Sequence, residues 1–279
     1  MSTPPARRYA DLSPGDVQSL AKGLAVLECF DAAAPAMTLS EVARRTGMTP
    51  GSAQRVLRTL VSLGYVGSEG GRFSLRPRTL RLGYAYLSSL PLAAIAQPLL
   101  SAFSARTGET CSLALLDGDA VVYVARSAAG RLKRDYMSVG TRMPAHATSV
   151  GKVLLAGLPE AELDALLARA VPERLTPNTL AGADAVRGAA RLARTEGYAL
   201  NDQETIMGLR SVAVPVTAGG RVVAALGLSG EVTRVTLADL TGRVPALRTA
   251  AAALADALSP ATTPGHGAGG QDDPAATRR

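Results

Sequence analysis

Early in the chain, apolar positions recur at helical spacing, in short runs divided by Gly and Pro. Val17 to Phe30 reads as a helix with Leu20, Leu24, Leu27 and Phe30 on or near one face. Thr38 followed by Glu41 is a capping box, so a helix starts near Leu39. Leu39, Val42 and Ala43 form its apolar side, and Gly47 ends it as a left-handed C-cap. Thr49 caps the next helix and Pro50 takes its first position, where no amide hydrogen is needed. Ala53, Val56, Leu57 and Leu60 then face the core. Tyr65-Val66 and Arg72 to Leu75 read as two short strands around a glycine turn. Two helices with a tight turn, followed by a hairpin, make a winged helix-turn-helix over residues 17–77.

The pattern changes after Pro77. Residues 78–90 form a mostly apolar linker helix, whose exposed side suggests pairing between protomers. Residues 91–258 mix both periods. Pro91 to Arg106, Val150 to Ala156, Glu160 to Ala168 and Ala183 to Glu196 read as helices. Thr110 to Leu116 and Ala120 to Arg126 are apolar strands joined by Asp117-Gly118-Asp119. Arg134 to Val139, Ser211 to Val216 and Val222 to Leu228 are further strands, and Thr236 to Leu258 is one long helix bent at Pro245. Hairpin-linked strands with helices beside them predict an α+β domain with an antiparallel sheet. Joined to a DNA-binding head, such a domain reads as a sensor. Residues 1–16 and 259–279 lack periodicity and are expected to be disordered.

Charge sharpens this picture. Residues 38–81 carry eight Arg against two Glu, a net +6 within a chain of net +7. A merely solvated basic face would not gather nearly all the excess on the helix-turn-helix, whereas a phosphate-binding surface would. The expected partner is double-stranded DNA. Candidate contacts are Thr49, Ser52, Gln54, Arg55 and Arg58 on the second helix and Arg72 on the wing. Composition excludes several alternatives. Hydrophobic residues make up 47% of the chain, enough for real cores, but no apolar run approaches the roughly 20 residues that cross a bilayer. With no apolar core near the N-terminus to serve as a leader, the protein is expected to be cytoplasmic, with no membrane partner. Two Cys and two His support neither a disulfide framework nor a zinc site, and no metal or cofactor is expected.

Catalysis is not expected either. Gly227-Leu-Ser-Gly230 falls short of a nucleophile elbow because Glu231 stands where glycine is required. His146 and Ser149 lack a third group at recognisable spacing, and Gly151-Lys152 lacks the upstream glycine of a phosphate loop.

Four segments in order carry a resemblance. They are Val17 to Leu27, the helix-turn-helix, Pro144-Ala-His-Ala-Thr-Ser-Val-Gly-Lys152 with the apolar run after it, and Gly197 to Glu204 followed by Gly208 to Pro215. Over residues 17–258 the chain resembles the IclR-type transcriptional regulators. In the last two segments it is most similar to the β-ketoadipate-pathway regulators of PcaR, PcaU and PobR type. The resemblance implies a winged helix domain, a linker helix and a GAF-like effector-binding domain. It also implies homodimers, often paired into tetramers, on a palindromic operator, and effectors such as protocatechuate, 4-hydroxybenzoate, β-ketoadipate or muconate. Another small-acid effector of glyoxylate or pyruvate type, or ligand-independent DNA binding, are the alternatives.

The resemblance further implies an effector pocket at Ser149, Val150, Asn201, Leu209, Ser211, Gly227 and Ser229, with Gly227 leaving room for a ring. The amides of Ser149 and Val150, at a helix start, favour an anion. Arg134, Arg126 and His146 are candidates to meet a carboxylate, and Tyr136 and Met137 either line the pocket or fill core. One departure is the recognition helix, which opens Pro50-Gly-Ser-Ala-Gln-Arg55 where relatives more often carry Arg and Thr. The operator sequence is therefore not carried over.

Overall fold

The computed structural model describes residues 13, 15–89, 91–128, 137–169 and 172–258. Arg134, the tail 259–279 and nearly all of 1–16 lie outside the described residues.

The N-terminal unit follows its local signals closely. It comprises α1 (Gln18–Glu28), β1 (Ala36–Thr38), α2 (Leu39–Thr46), α3 (Pro50–Ser62), β2 (Val66–Glu69) and β3 (Arg72–Leu75). The Glu41 carboxylate accepts from the Thr38 N–H at 2.7 Å while Thr38 caps α2, and Gly47 ends it at φ 67°. Val26, Val42, Ala53 and Leu57 form its sealed centre. Two details differ from the sequence reading. The wing has a third strand, because β1 pairs with β3 (Ala36 opposite Ser74) to give the order β1-β3-β2. On α1, Val26 is the buried residue, while Leu20 and Leu24 are 63% and 46% exposed. The linker is a 3-10 turn, Pro77–Thr79, running into α4 (Leu80–Ser88), none of whose residues is buried.

The C-terminal domain is built on a six-stranded, wholly antiparallel sheet. Its strands are β4 (Thr110–Asp117), β5 (Ala120–Ser127), β6 (Arg142–Pro144), β7 (Ala199–Asp202), β8 (Leu209–Ala218) and β9 (Arg221–Glu231). They lie in the order β6-β5-β4-β9-β8-β7. Helices α5 (Pro91–Thr107) and α10 (Val244–Leu258) cover one face through Leu100, Phe103, Leu247 and Leu254. The other face is covered by α6 (Ser149–Ala156), behind which α8 (Ala183–Glu196) and α7 (Glu160–Arg169) pack. Residues 137–139 form no strand; the edge strand is β6, further on. The predicted bent helix is two helices, α9 (Leu237–Gly242) and α10, because Pro245 sits in the first turn of α10, where its missing N–H costs nothing.

A candidate DNA-binding face and a candidate effector cavity

Helix α3 buries Ala53, Leu57 and Leu60 and turns Gln54, Arg55 and Arg58 to solvent. Among the described residues, neither the Arg55 nor the Arg58 guanidinium has a partner, so both are free to meet phosphate or a base edge. Thr49 is committed to capping, its hydroxyl accepting from the Ser52 N–H at 3.3 Å, and Ser52 is half-buried. Arg72 departs from expectation. Its Nη2 donates to the Ala36 carbonyl at 2.6 Å and stands 3.8 Å from the Glu41 carboxylate. The wing arginine thus ties β3 to the start of α2 instead of standing free.

The second site lies between the sheet and the N-terminus of α6. Strand register brings polar residues from distant segments into one cross-strand rung. Asn201 faces Ser211, Ser211 faces Ser229, and Ser229 faces Thr110. The adjoining rung is Ala213, Gly227, Ser112 and Arg126. Paired residues in neighbouring strands share a face, so both rungs floor one cavity, and Thr110, Ser112, Arg126, Asn201, Ser211, Gly227 and Ser229 all line it.

Arg126 reaches this floor because of a β-bulge. Ala114 pairs with Tyr123 but Leu113 pairs with Ala125, leaving Val124 unmatched. Strict alternation would send Tyr123 and Arg126 to opposite faces; the extra residue re-aims the strand and both line the cavity. Among the described residues, the buried Arg126 Nε has no acceptor and the buried Thr110 hydroxyl no partner. Burial pulls the Arg126 guanidinium below its usual value, and the neighbouring Tyr123 opposes this weakly. Burial also pushes the Tyr123 phenol up to about 12, so it remains a neutral donor.

Helix α6 supplies the roof. Its cap Thr148 accepts from the Gly151 N–H at 2.9 Å, which leaves the N–H groups of Ser149 and Val150 without acceptors among the described residues. The hydroxyls of Ser149 and Ser211 bond at 2.8 Å across the cavity wall. Asn201 is fully used. Its amide donates to the Ala147 carbonyl and to the Thr205 hydroxyl at 2.6 Å, and its oxygen accepts from the Glu204 N–H at 3.1 Å. Behind the roof, the buried Lys152–Glu204 ion pair, N to O 2.5 Å, ties α6 to the loop after β7, where Gln203 sits at φ 61°.

Ser149, Val150, Asn201, Leu209, Ser211, Gly227 and Ser229 therefore converge on one cavity. The space beside Gly227 is not empty, since a Cβ there would lie 2.7 Å from Val150 Cγ1. The glycine lets α6 approach the sheet rather than making room for a ring. His146 does not line the cavity; its Nε2 is 2.9 Å from the Glu173 carbonyl, bracing the turn before α6. Thr110, Ser112, Tyr123, Met143, Thr148 and Thr205 line it without having been singled out from the sequence. The free volume is about 20 Å³, room for about one water. An organic ligand thus requires the walls to move, and Met137 and Met143 are the adaptable side chains there.

Among the described residues, no group of three or more His, Cys, Asp or Glu could hold a metal, and no single helix is long and apolar enough to cross a membrane.

A winged head joined to a domain enclosing a donor-rich cavity defines a ligand-responsive DNA-binding protein, and comparison with known proteins gives the same class. Residues 19–70 match the IclR helix-turn-helix domain and residues 84–256 the bacterial transcriptional regulator IclR C-terminal domain. The chain belongs to the IclR family of transcriptional regulators and is not an enzyme. It is 41% identical over 243 residues to the Pca regulon regulatory protein of Pseudomonas putida, covering 86% of this chain and 84% of that one. It is 38% identical over 242 residues to the p-hydroxybenzoate hydroxylase transcriptional activator of Acinetobacter baylyi, covering 84% and 89%. A crystal structure of an IclR homologue from Microbacterium hydrocarbonoxydans complexed with 4-hydroxybenzoate matches with TM-score 0.72 at 27% identity, over 85% and 98% of the chains.

Proposed function

We propose that the chain is a homodimeric regulator of genes for aromatic-acid breakdown, binding its operator through α3 and answering to a small aromatic acid held between the sheet and α6. One observation carries the effector reading: the Arg126 Nε is buried at the cavity wall with no acceptor among the described residues. A buried donor without an acceptor is costly, and an oxygen of an organic anion would relieve it. An aromatic acid is supported by the names of two relatives, a Pca regulon regulatory protein and a p-hydroxybenzoate hydroxylase transcriptional activator, and by the 4-hydroxybenzoate in the Microbacterium homologue. Leu20, Leu24, Leu80, Leu82, Tyr84 and Tyr86 expose apolar surface on α1 and α4, which a second copy would cover.

Control follows if ligand binds one arrangement of the sensor better than another and thereby changes the spacing of the paired heads. A coupling of ~1–3 kcal/mol changes operator affinity roughly 5- to 150-fold. The test is thermal unfolding with protocatechuate, 4-hydroxybenzoate, β-ketoadipate, muconate and simple α-keto acids. Selective stabilisation by an aromatic acid, together with altered operator binding, is expected. Stabilisation by α-keto acids alone, or operator binding indifferent to every member, overturns the aromatic-acid reading.

A further inference from the structure

We infer that Gln97 is a positioning residue that ties the effector cavity to the DNA-binding head, with Pro98 beside it as the hinge on which α5 answers the ligand. This rests on the effector reading above and adds the route by which the cavity reports to the head. Arg126 is held from two sides. Its side chain lines the cavity, while its backbone carbonyl accepts from Gln97 Nε2 at 3.1 Å. Gln97 is an exposed residue of α5, the helix that covers the opposite face of the sheet from α6. A second hold is Val124. This unmatched residue of the bulge is buried in the core that α5 covers, together with Leu92, Ala96 and Leu100. The bulge that turns Arg126 into the cavity therefore also seats β5 against α5.

Helix α5 is not one stiff rod. Pro98 has no N–H to give the Ala94 carbonyl, so a helical rung is missing at the residue after Gln97. Such gaps are where helices bend. Beyond the gap the helix is anchored. Leu100 and Phe103 are buried in the core, and the Ser104 hydroxyl donates to the Glu109 carbonyl at 2.7 Å. The half before the gap, which Gln97 ties to β5, follows the linker helix α4 in the chain. Leu87, in the last turn of α4, is half-buried against the same core. A ligand that draws Arg126 toward itself moves the end of β5. Gln97 passes that shift to the first half of α5, and Pro98 lets this half tilt without dislodging the other. The linker and the head then follow, which changes the spacing of the paired heads. Nearness in space is not coupling, so the coupling itself is the quantity to measure.

Fluorescence anisotropy gives the operator affinity of the full chain with and without saturating 4-hydroxybenzoate or protocatechuate, and calorimetry gives the affinity for each acid alone. The proteins are wild type, Gln97→Leu, Gln97→Lys and Pro98→Ala. Leucine keeps the helix propensity but has no donor, whereas lysine keeps a donor. Gln97→Leu should bind acid alone and operator alone within about twofold of wild type, while the factor by which acid changes operator affinity shrinks by about 2- to 10-fold, as loss of one hydrogen bond implies. By reciprocity, the effect of operator on acid affinity shrinks equally. Gln97→Lys should keep most of the response. Pro98→Ala restores the missing rung and should weaken the response in a protein no less stable than wild type. A full response in Gln97→Leu, or an equal loss in Gln97→Lys, overturns the role of Gln97 and leaves the effector site standing. A fall in thermal midpoint and both separate affinities together marks Gln97 as merely structural and also overturns it. A full response in Pro98→Ala overturns the hinge. Wild type whose operator affinity neither acid changes overturns the effector reading and this route with it.

Discussion

Gly227→Ala probes the contact that sets the height of the cavity roof. The added methyl would begin 2.7 Å from Val150 Cγ1, with Ser112 Oγ at 3.6 Å and the Val212 carbonyl at 3.7 Å. Only the first contact is too close, and it belongs to the first turn of α6. The clash cannot be relieved by a flexible chain end, because Val150 is β-branched and 3% exposed. Overpacking of this kind costs about 1–3 kcal/mol. At about 2–4 °C per kcal/mol for a domain of this size, the midpoint should fall by roughly 2–12 °C. Val150→Ala alone removes two buried methyls' worth of area and leaves a void, costing about 2 kcal/mol. In the double variant the new methyl occupies space the valine vacated. Its loss should therefore be smaller than the sum of the two single losses by ~0.5–3 kcal/mol. Scanning calorimetry on the four proteins reads the cycle directly. Ligand titration should report weaker effector binding in Gly227→Ala, partly restored in the double variant. Additivity within about 0.5 kcal/mol would refute the claim that Gly227 exists to admit Val150.

Two other predictions concern charge. Arg55→Ala and Arg58→Ala should each weaken operator binding and reduce the slope of log affinity against log salt by about 1 where the arginine meets phosphate, with ligand binding intact; lost affinity at an unchanged slope at both positions would rule out phosphate contact. Glu109, buried behind the sheet beside Arg234, has its carboxyl raised by desolvation, which outweighs the attraction of the arginine. The folded state then holds the proton more tightly than the unfolded one, so stability falls as pH rises from about 4.3, the unfolded value, through the folded value. Glu109→Gln should flatten that decline in urea titrations at stepped pH, and an equal decline in both proteins would contradict the assignment.

Much of this molecule is legible along the chain because the relevant forces act within one helical turn or one hairpin. Thr38 with Glu41, Gly47, and Thr49 with Pro50 place α2 and α3 to the residue, and Asp117-Gly118-Asp119 places the turn between β4 and β5. The helical period on α3 also separates Leu57 from Arg58. Shorter or conditional elements escaped. Strands β1 and β6 have three residues each and exist only because β3 and β5 offer edges to pair with.

The cavity divides the same way. Its residue types, and the family pattern at Ser149, Asn201, Ser211 and Ser229, are visible in the sequence. That Thr110 completes their rung is a matter of sheet order, since β4 meets β9 only after a long excursion of the chain. Arg72 and His146 looked available as side chains and proved to be held by the Ala36 and Glu173 carbonyls. Arg126 is the sharpest case. Period-two alternation puts it on the opposite face from Tyr123, and only the bulge at Val124 brings the two together. Local propensities decide which elements form. Register, bulges and the choice of hydrogen-bond partner arise from packing between segments distant in sequence, and they decide which side chains meet.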